Sequence, residues 1–253
     1  MKRLRLVLAG FLLLGSAALV PGSQAETTPE LNVMSITGIP SAELAGRIMT
    51  AAYAKLGWRI NIVRLPANRA LVMAINGEAD ADMMRIAALD GRYPELVQVP
   101  YPLLRGELRA VTRNSNLTHW DPVALADQRI AIRRGVVIAE RATAGMQVTT
   151  IADAKQFLPM LLRNRVDILV VSNIEGIDPF EDADWSQLKV LENAVAPFTL
   201  HHYLHRRHAD LAQPLADVLA NMHVSGETDA ITARFLEETD QADVWQPGSL
   251  SDR

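Results

Sequence analysis

The sequence predicts an α/β protein of two lobes, each a parallel-rich sheet flanked by helices, joined by two crossing strands. Three observations carry the prediction. Strand-like and helix-like stretches alternate as βαβαβ over residues 31–85, the same order returns over 129–171, and extended stretches at 100–113 and 190–204 are placed to link the two units.

In the first unit, LNVMSIT (31–37) reads as a strand. Ser41 is the expected cap of a helix whose Leu44, Ile48 and Ala52 share one face before Gly57 stops it. WRINIVRL (58–65) alternates apolar and polar residues as a half-buried strand does. Asn68 is the expected cap of a second helix ending at Asn76-Gly77, and a strand follows from Ala79 to Arg85. In the second unit, RIAIRR (129–134) is a strand, Val137 to Arg141 a short helix, and QVTTI (147–151) a strand. Asp153 caps a helix through Leu162, and RVDILVV (165–171) is a continuous apolar run of the kind buried on both faces. The segment 208–239 reads as helical, with Leu211, Leu215, Val218 and Met222 on one stripe and Gly226 between two helices.

The N-terminus has the three parts of a secretory signal: a basic MKRLR, an apolar run from Leu6 to Val20, and Ser23-Gln24-Ala25 as a small-x-small cleavage site. The run is shorter than the ~20 residues that cross a bilayer, and Pro21-Gly22 ends it. No cysteine stands at the cleavage point to take a lipid. Residues 1–25 are therefore expected to be removed and the mature chain released into the periplasm without membrane insertion. Cleavage takes away Lys2, Arg3 and Arg5 and no acid, leaving 22 basic against 29 acidic residues, a net charge of −7. That balance excludes nucleic acid as an expected partner, because no basic stripe is left to neutralise phosphates. With no cysteine in the chain, a disulfide framework, a thiolate nucleophile and a zinc–thiolate site are all excluded.

The stretch LPANRALVMAINGEADADMMRI (65–86) resembles the type 2 periplasmic solute-binding proteins, specifically the family 3 extracellular solute-binding proteins that serve ABC transporters. The likeness continues through 93–113, 128–140, 148–171 and 203–227, in the order and spacing of a divergent branch of that family. The resemblance implies two lobes, residues 26–105 with 200–253 and residues 106–199, a small-molecule ligand in the cleft between them, and closure on binding.

In such a fold the cleft is lined by strand C-termini and the helix starts that follow, where free N–H groups favour anions. Thr37 and Gly38 end the first strand, Arg69 opens the second helix, Arg85 ends the third strand, and Arg134-Gly135 turns from strand to helix in the second unit. The family's carboxylate-gripping arginine, counted twelve residues beyond Asp80 of the Gly77-Glu78-Ala79-Asp80 turn, falls on Arg92. Arg85, however, sits at the expected strand end and is the favoured anion clamp. The ordinary alternative for either is pairing with a neighbouring acid such as Asp82 or Asp90. The acid by which the family receives an ammonium group falls here on Ser172, followed by Asn173. A serine does not neutralise an ammonium, which points away from an ordinary α-amino acid and toward an uncharged or anionic solute, unless Glu175 substitutes. Glu107, on the first crossing stretch, is a further acid of the cleft or else a solvated strand residue.

His201, His202, His205 and His208 offer metal-binding chemistry, but on an extended strand residues four apart are widely separated, so ordinary structural roles are expected and no metal. Trp58, Trp120, Trp185 and Trp245 are read as packing residues or an aromatic ligand wall. There is no Gly-x-Ser-x-Gly elbow, no His-Glu-x-x-His and no phosphate-cradling glycine loop, so neither a cofactor nor catalysis is expected. The expected function is capture of a small polar, anionic or amino-acid-like solute for a membrane permease. The alternatives are a sensor subunit acting on a signalling receptor, and a cyclohexadienyl-dehydratase-like enzyme using Glu107 and Glu175 as acid and base.

Overall fold

A computed structural model describes residues 28–37, 39–87, 91–172 and 184–239. The signal segment, Gly38, Asn173, Glu175 and Trp245 lie outside the described residues. In chain order the elements are β1 (Glu30–Ile36), α1 (Pro40–Lys55), β2 (Arg59–Leu65), α2 (Ala67–Ile75), β3 (Ala81–Ile86), β4 (Leu96–Gln98) and β5 (Leu104–Thr112). Then follow β6 (Arg129–Arg133), α3 (Val137–Ala142), β7 (Gln147–Ile151), α4 (Phe157–Leu162), β8 (Ile168–Ser172), β9 (Lys189–Val190), β10 (Ala196–His205), α5 (Ala212–Val224) and α6 (Glu227–Glu238).

In the first unit β1 lies between β2 and β3, parallel to both. The second unit repeats this arrangement, with β6 between β7 and β8. Each strand triplet is sandwiched by its own crossover helices. The face carrying Leu31, Val33, Ala81 and Met83 packs under Leu44, Ala45 and Ile48 of α1 and takes in Leu215, Leu219 and Met222 of α5 and Phe235 of α6. Met34, on the opposite face of β1, meets Ala70 of α2. In the second unit Ile130 and Ile132 cover Ala139 of α3, while Ala131 and Leu169 pack on Phe157, Leu158 and Leu161 of α4. The run Ile168–Ser172 is buried at every position, as a strand covered on both faces must be.

Three caps differ from the sequence prediction. Pro40 occupies the first turn of α1 with Ile39 as the cap residue, so Ser41 lies inside the helix and is buried. Proline suits that position because the N–H it lacks is one of the unbonded donors of a helix start. Likewise Pro66, not Asn68, precedes α2. Asp153 does accept the Lys155 N–H, but the turn it opens is a 3-10 turn, Ala154–Gln156, before α4.

The crossing strands unite the units. β10 runs antiparallel to β3 on one side and to β5 on the other, and β5 runs antiparallel to β8, giving one sheet in the order β2-β1-β3-β10-β5-β8-β6-β7. Three successive antiparallel steps reverse direction, so β1–β3 and β6–β8 point their C-terminal ends toward each other. The register measures the gap. Ile86, the end of β3, is opposite Leu200, which is opposite Leu104, whereas Ser172, the end of β8, is opposite Leu108. Four residue steps along β5, from Leu104 to Leu108, separate the two sets of ends, roughly 13 Å at the rise of an extended strand. Among the described residues, Arg105–Glu107 and their partners Pro197–Thr199 bridge that interval.

Candidate ligand-binding cleft

The opposed strand ends bring together most of the residues expected from sequence. Extending the Met34↔Asp82 register by three places sets Thr37 level with Arg85, and extending Ile132↔Val170 by two sets Arg134 level with Ser172. Thr37 is exposed, and its N–H is bonded to the Leu65 carbonyl at 3.0 Å. Arg69 is exposed in the first turn of α2. In the other unit Arg134 and Gly135 are exposed, and Ser172 is buried at the strand terminus. Gly135 has φ +80, a left-handed turn that glycine adopts without strain. Its N–H is not free, because it donates to the Glu140 carboxylate at 3.2 Å.

Arg85, near the C-terminal end of β3, is ion-paired within its own strand. Its Nε lies 3.1 and 3.0 Å from the two carboxylate oxygens of Asp82, its NH2 donates to Asp82 at 2.9 Å and to the Ala67 carbonyl at 2.7 Å. The Nε–NH2 edge is therefore engaged within the protein. The side chain of Asp82 has no exposed surface and that of Arg85 is 14% exposed, so the pair sits mostly out of water. Burial pushes the Asp82 carboxyl above its ordinary value, against the opposing pull of the Arg85 guanidinium and the Met84 N–H. The signal was present in the sequence as an acid three residues before Arg85 in the strand ADMMRI, since a charge buried there must find a partner.

Arg92 lies in an exposed turn four residues before Leu96, which pairs with His205 beyond the start of β3 and so away from the strand ends. Glu107 stands in the bridging interval, half-buried, its carboxylate 2.8 Å from Arg109 NH1. Sequence reasoning overlooked Arg105 in the same interval, whose guanidinium lies 5.7 Å from the centre of the Tyr101 ring.

The histidines are committed to structural bonds. His202 is fully buried on β10. Its Nδ1 lies 3.0 Å from the Met83 carbonyl, which only accepts, so Nδ1 carries the proton and Nε2 accepts from the Tyr53 hydroxyl at 2.9 Å. Burial lowers its pKa to about 4. His201 Nδ1 meets the Val99 carbonyl at 3.0 Å. His208 and Arg207 both hold Asp80, at 2.8 and 2.6 Å, while the Asn32 N–H donates to its other oxygen at 2.7 Å. Burial pushes the Asp80 carboxyl up, but these three donors outweigh it and hold the group below its ordinary value. His205 stands against Gly77 in the same knot. Trp120 is buried in the second unit's core, and Trp58 is half-buried, edge-on to His208. Among the described residues no helix is long and apolar enough to cross a membrane.

No family model matches the chain. It is 29% identical over 186 residues to an uncharacterized protein of Shewanella oneidensis, covering 71% of this chain and 70% of that one. Among solved structures it is similar to the GluR0 ligand-binding core in complex with L-glutamate, with a TM-score of 0.68 at 14% identity over 82% of this chain and 98% of that one. It is also similar to an ancestral arginine-binding protein bound to glutamine, with a TM-score of 0.63 at 15% identity over 83% and 98%. The chain has the two-lobed, type 2 periplasmic-binding-protein fold, and these neighbours are binding proteins.

Proposed function

From a two-lobed periplasmic-binding-protein fold, we propose that this chain captures a small polar solute, anionic or amino-acid-like, between its lobes for delivery to a membrane permease. The lobes are taken as residues 26–105 with 200–253 and residues 106–199, the mature chain beginning after Ala25. The observation that carries the reading is the register across β3, β10, β5 and β8, in which two sets of parallel-strand ends oppose one another across roughly 13 Å spanned by two strands. Opposed strand termini at a switch in sheet direction are where α/β proteins receive ligands.

Charge supports the choice of solute. Arg69 and Arg85 stand at one set of ends and Arg134 at the other. With Asp82 and Ala67 holding the Nε–NH2 edge of Arg85, NH1 is the donor left for a ligand. Arg69 and Arg134, both exposed, supply the closing charges from opposite lobes. A thermal-shift screen of the purified chain against carboxylates, amino acids, amines and sugars tests this, because a ligand selective for the native state raises its stability. The expected outcome is stabilisation by a carboxylate or amino acid, with Arg69→Gln and Arg134→Gln each weakening that ligand about tenfold. Stabilisation by amines or neutral sugars alone would overturn the assigned class, and stabilisation by none of the panel would count against capture itself.

A further inference from the structure

Outside the cleft, a second concavity lies in the first unit between α1, the α5–α6 pair and the segment that leads into β5. Its deepest residues are apolar and buried: Ile48, Leu103, Leu104 and Leu219. Around them stand the half-buried Arg105 and His223, and exposed Asp229 marks the mouth. Its cavity volume is ≈ 40 Å³, room for one end of a small molecule with the remainder lying open to solvent. Arg105 reaches it from the interval that bridges the strand ends, whereas none of the strand-end residues Thr37, Arg85, Arg134 and Ser172 lines it.

Arg105 makes this pocket chemically specific. Its guanidinium faces the Tyr101 ring, yet no hydrogen bond or ion pair joins it to another described residue. Other half-buried arginines of the chain are engaged, Arg85 by Asp82 and Arg109 by Glu107. A half-buried planar cation with no hydrogen-bond or ion-pair partner among the described residues suits a carboxylate, which it can meet with two parallel hydrogen bonds. The buried Ile48, Leu104 and Leu219 of the lining offer apolar surface to whatever that carboxylate is attached to. Asp229 at the mouth repels a second negative charge. We propose that this pocket is a second binding site, independent of the cleft, for a free small monocarboxylate bearing a short apolar chain.

Amide-resolved NMR titration of the full chain with sodium hexanoate tests the proposal, with hexylammonium chloride and disodium adipate as the comparison arms. Saturable shifts at Leu103–Arg105, Leu219 and Thr228–Thr232 with hexanoate, and much weaker ones with the amine and the dicarboxylate, are expected. Arg105→Gln should weaken hexanoate about tenfold or more, and Arg105→Lys should restore part of the loss, since a point charge keeps the attraction without the bidentate geometry. Unfolding midpoints of both variants within the range of the parent exclude loss of fold as the cause. Equal binding of the amine, unchanged affinity in Arg105→Gln, absence of saturable shifts at millimolar hexanoate, or shifts confined to the strand ends near Thr37, Arg85 and Arg134 would each overturn it. The last of these outcomes would leave the cleft reading standing, so the two assignments fail separately.

Discussion

Asp82 is a carboxylate with no exposed surface, and its stability in that position depends on one guanidinium. Removing Arg85 leaves the acid buried without its ion-pair partner, an arrangement that destabilises by about 3–5 kcal/mol. Urea unfolding of Arg85→Ala is expected to show a loss of that order, and the double change Asp82→Leu with Arg85→Met a much smaller one, because buried ion pairs are often replaced by apolar pairs without penalty. An unchanged midpoint in Arg85→Ala would mean the pair contributes nothing to the fold. His202 gives a pH dependence whose sign follows from its tautomer. The folded protein keeps it neutral down to about pH 4, whereas the unfolded chain protonates it below its ordinary value of 6.5. Stability is therefore complete above pH 6.5 and falls as the pH drops from there toward 4, by about 3 kcal/mol in all. His202→Gln should flatten that slope in unfolding curves taken from pH 7 to 4, and a slope as steep as the parent's would assign the acid sensitivity elsewhere. At this scale the sequence offered candidates and alternative partners without deciding between them. Arg85 was visible as a strand-ending arginine with Asp82 as one alternative partner, yet the choice depends on a fold of the side chain back over three residues to reach Asp82 and the start of α2.

The turn between α2 and β3 is tied to the chain that follows β10. Gly77 gives its carbonyl to Arg207 NH1 at 2.6 Å, Ala79 gives its carbonyl to NH2 at 3.0 Å, and Asp80 receives Arg207 and His208. Gly77 has φ +73, and a Cβ there would stand 3.1 Å from His205 Nε2 and 3.2 Å from Arg207 NH1. Gly57, with φ +76, has open space around the same point. Both carry the left-handed strain of a substituted glycine, about 1 kcal/mol, but only Gly77 adds crowding. Gly77→Ala should therefore lower the thermal midpoint more than Gly57→Ala, and equal losses would show that the knot yields freely. Elements were the scale at which the sequence was most legible. Apolar periodicity located both βαβαβ units because each helix and strand has a buried side that its residues must match. Helix starts were less legible. Pro40 and Pro66 begin α1 and α2 by their fixed backbone, and Ser41 and Asn68 resemble caps only when that geometry is ignored. The short β4 and β9 escaped because each is fixed by a partner distant in sequence, β10 and β5.

Across the whole molecule, the buried clusters divide at the crossing strands. Leu104 and Leu204 belong to the core that holds α1, α5 and α6, and Leu108 to the one that holds α3. Between Leu104 and Leu108, Arg105–Glu107 are only half-buried. An interval of two strands between separate buried clusters is the natural place for hinge motion. The two-unit architecture was legible because the strand order repeats, whereas the register that opposes the strand ends is a long-range property no local pattern encodes. The absence of cysteine from the sequence allows the hinge to be observed directly. Val123 and Val224 are 87% and 86% exposed, one in each unit, and Val123→Cys with Val224→Cys gives a chain that takes two spin labels and no others. Their distance distribution, measured by pulsed electron resonance with and without the stabilising carboxylate or amino acid from the thermal screen, tests interlobe capture most directly. A ligand-dependent shift of the whole distribution to a new, narrower peak is the predicted result, and an identical distribution at saturating ligand would contradict closure of the two lobes on a solute.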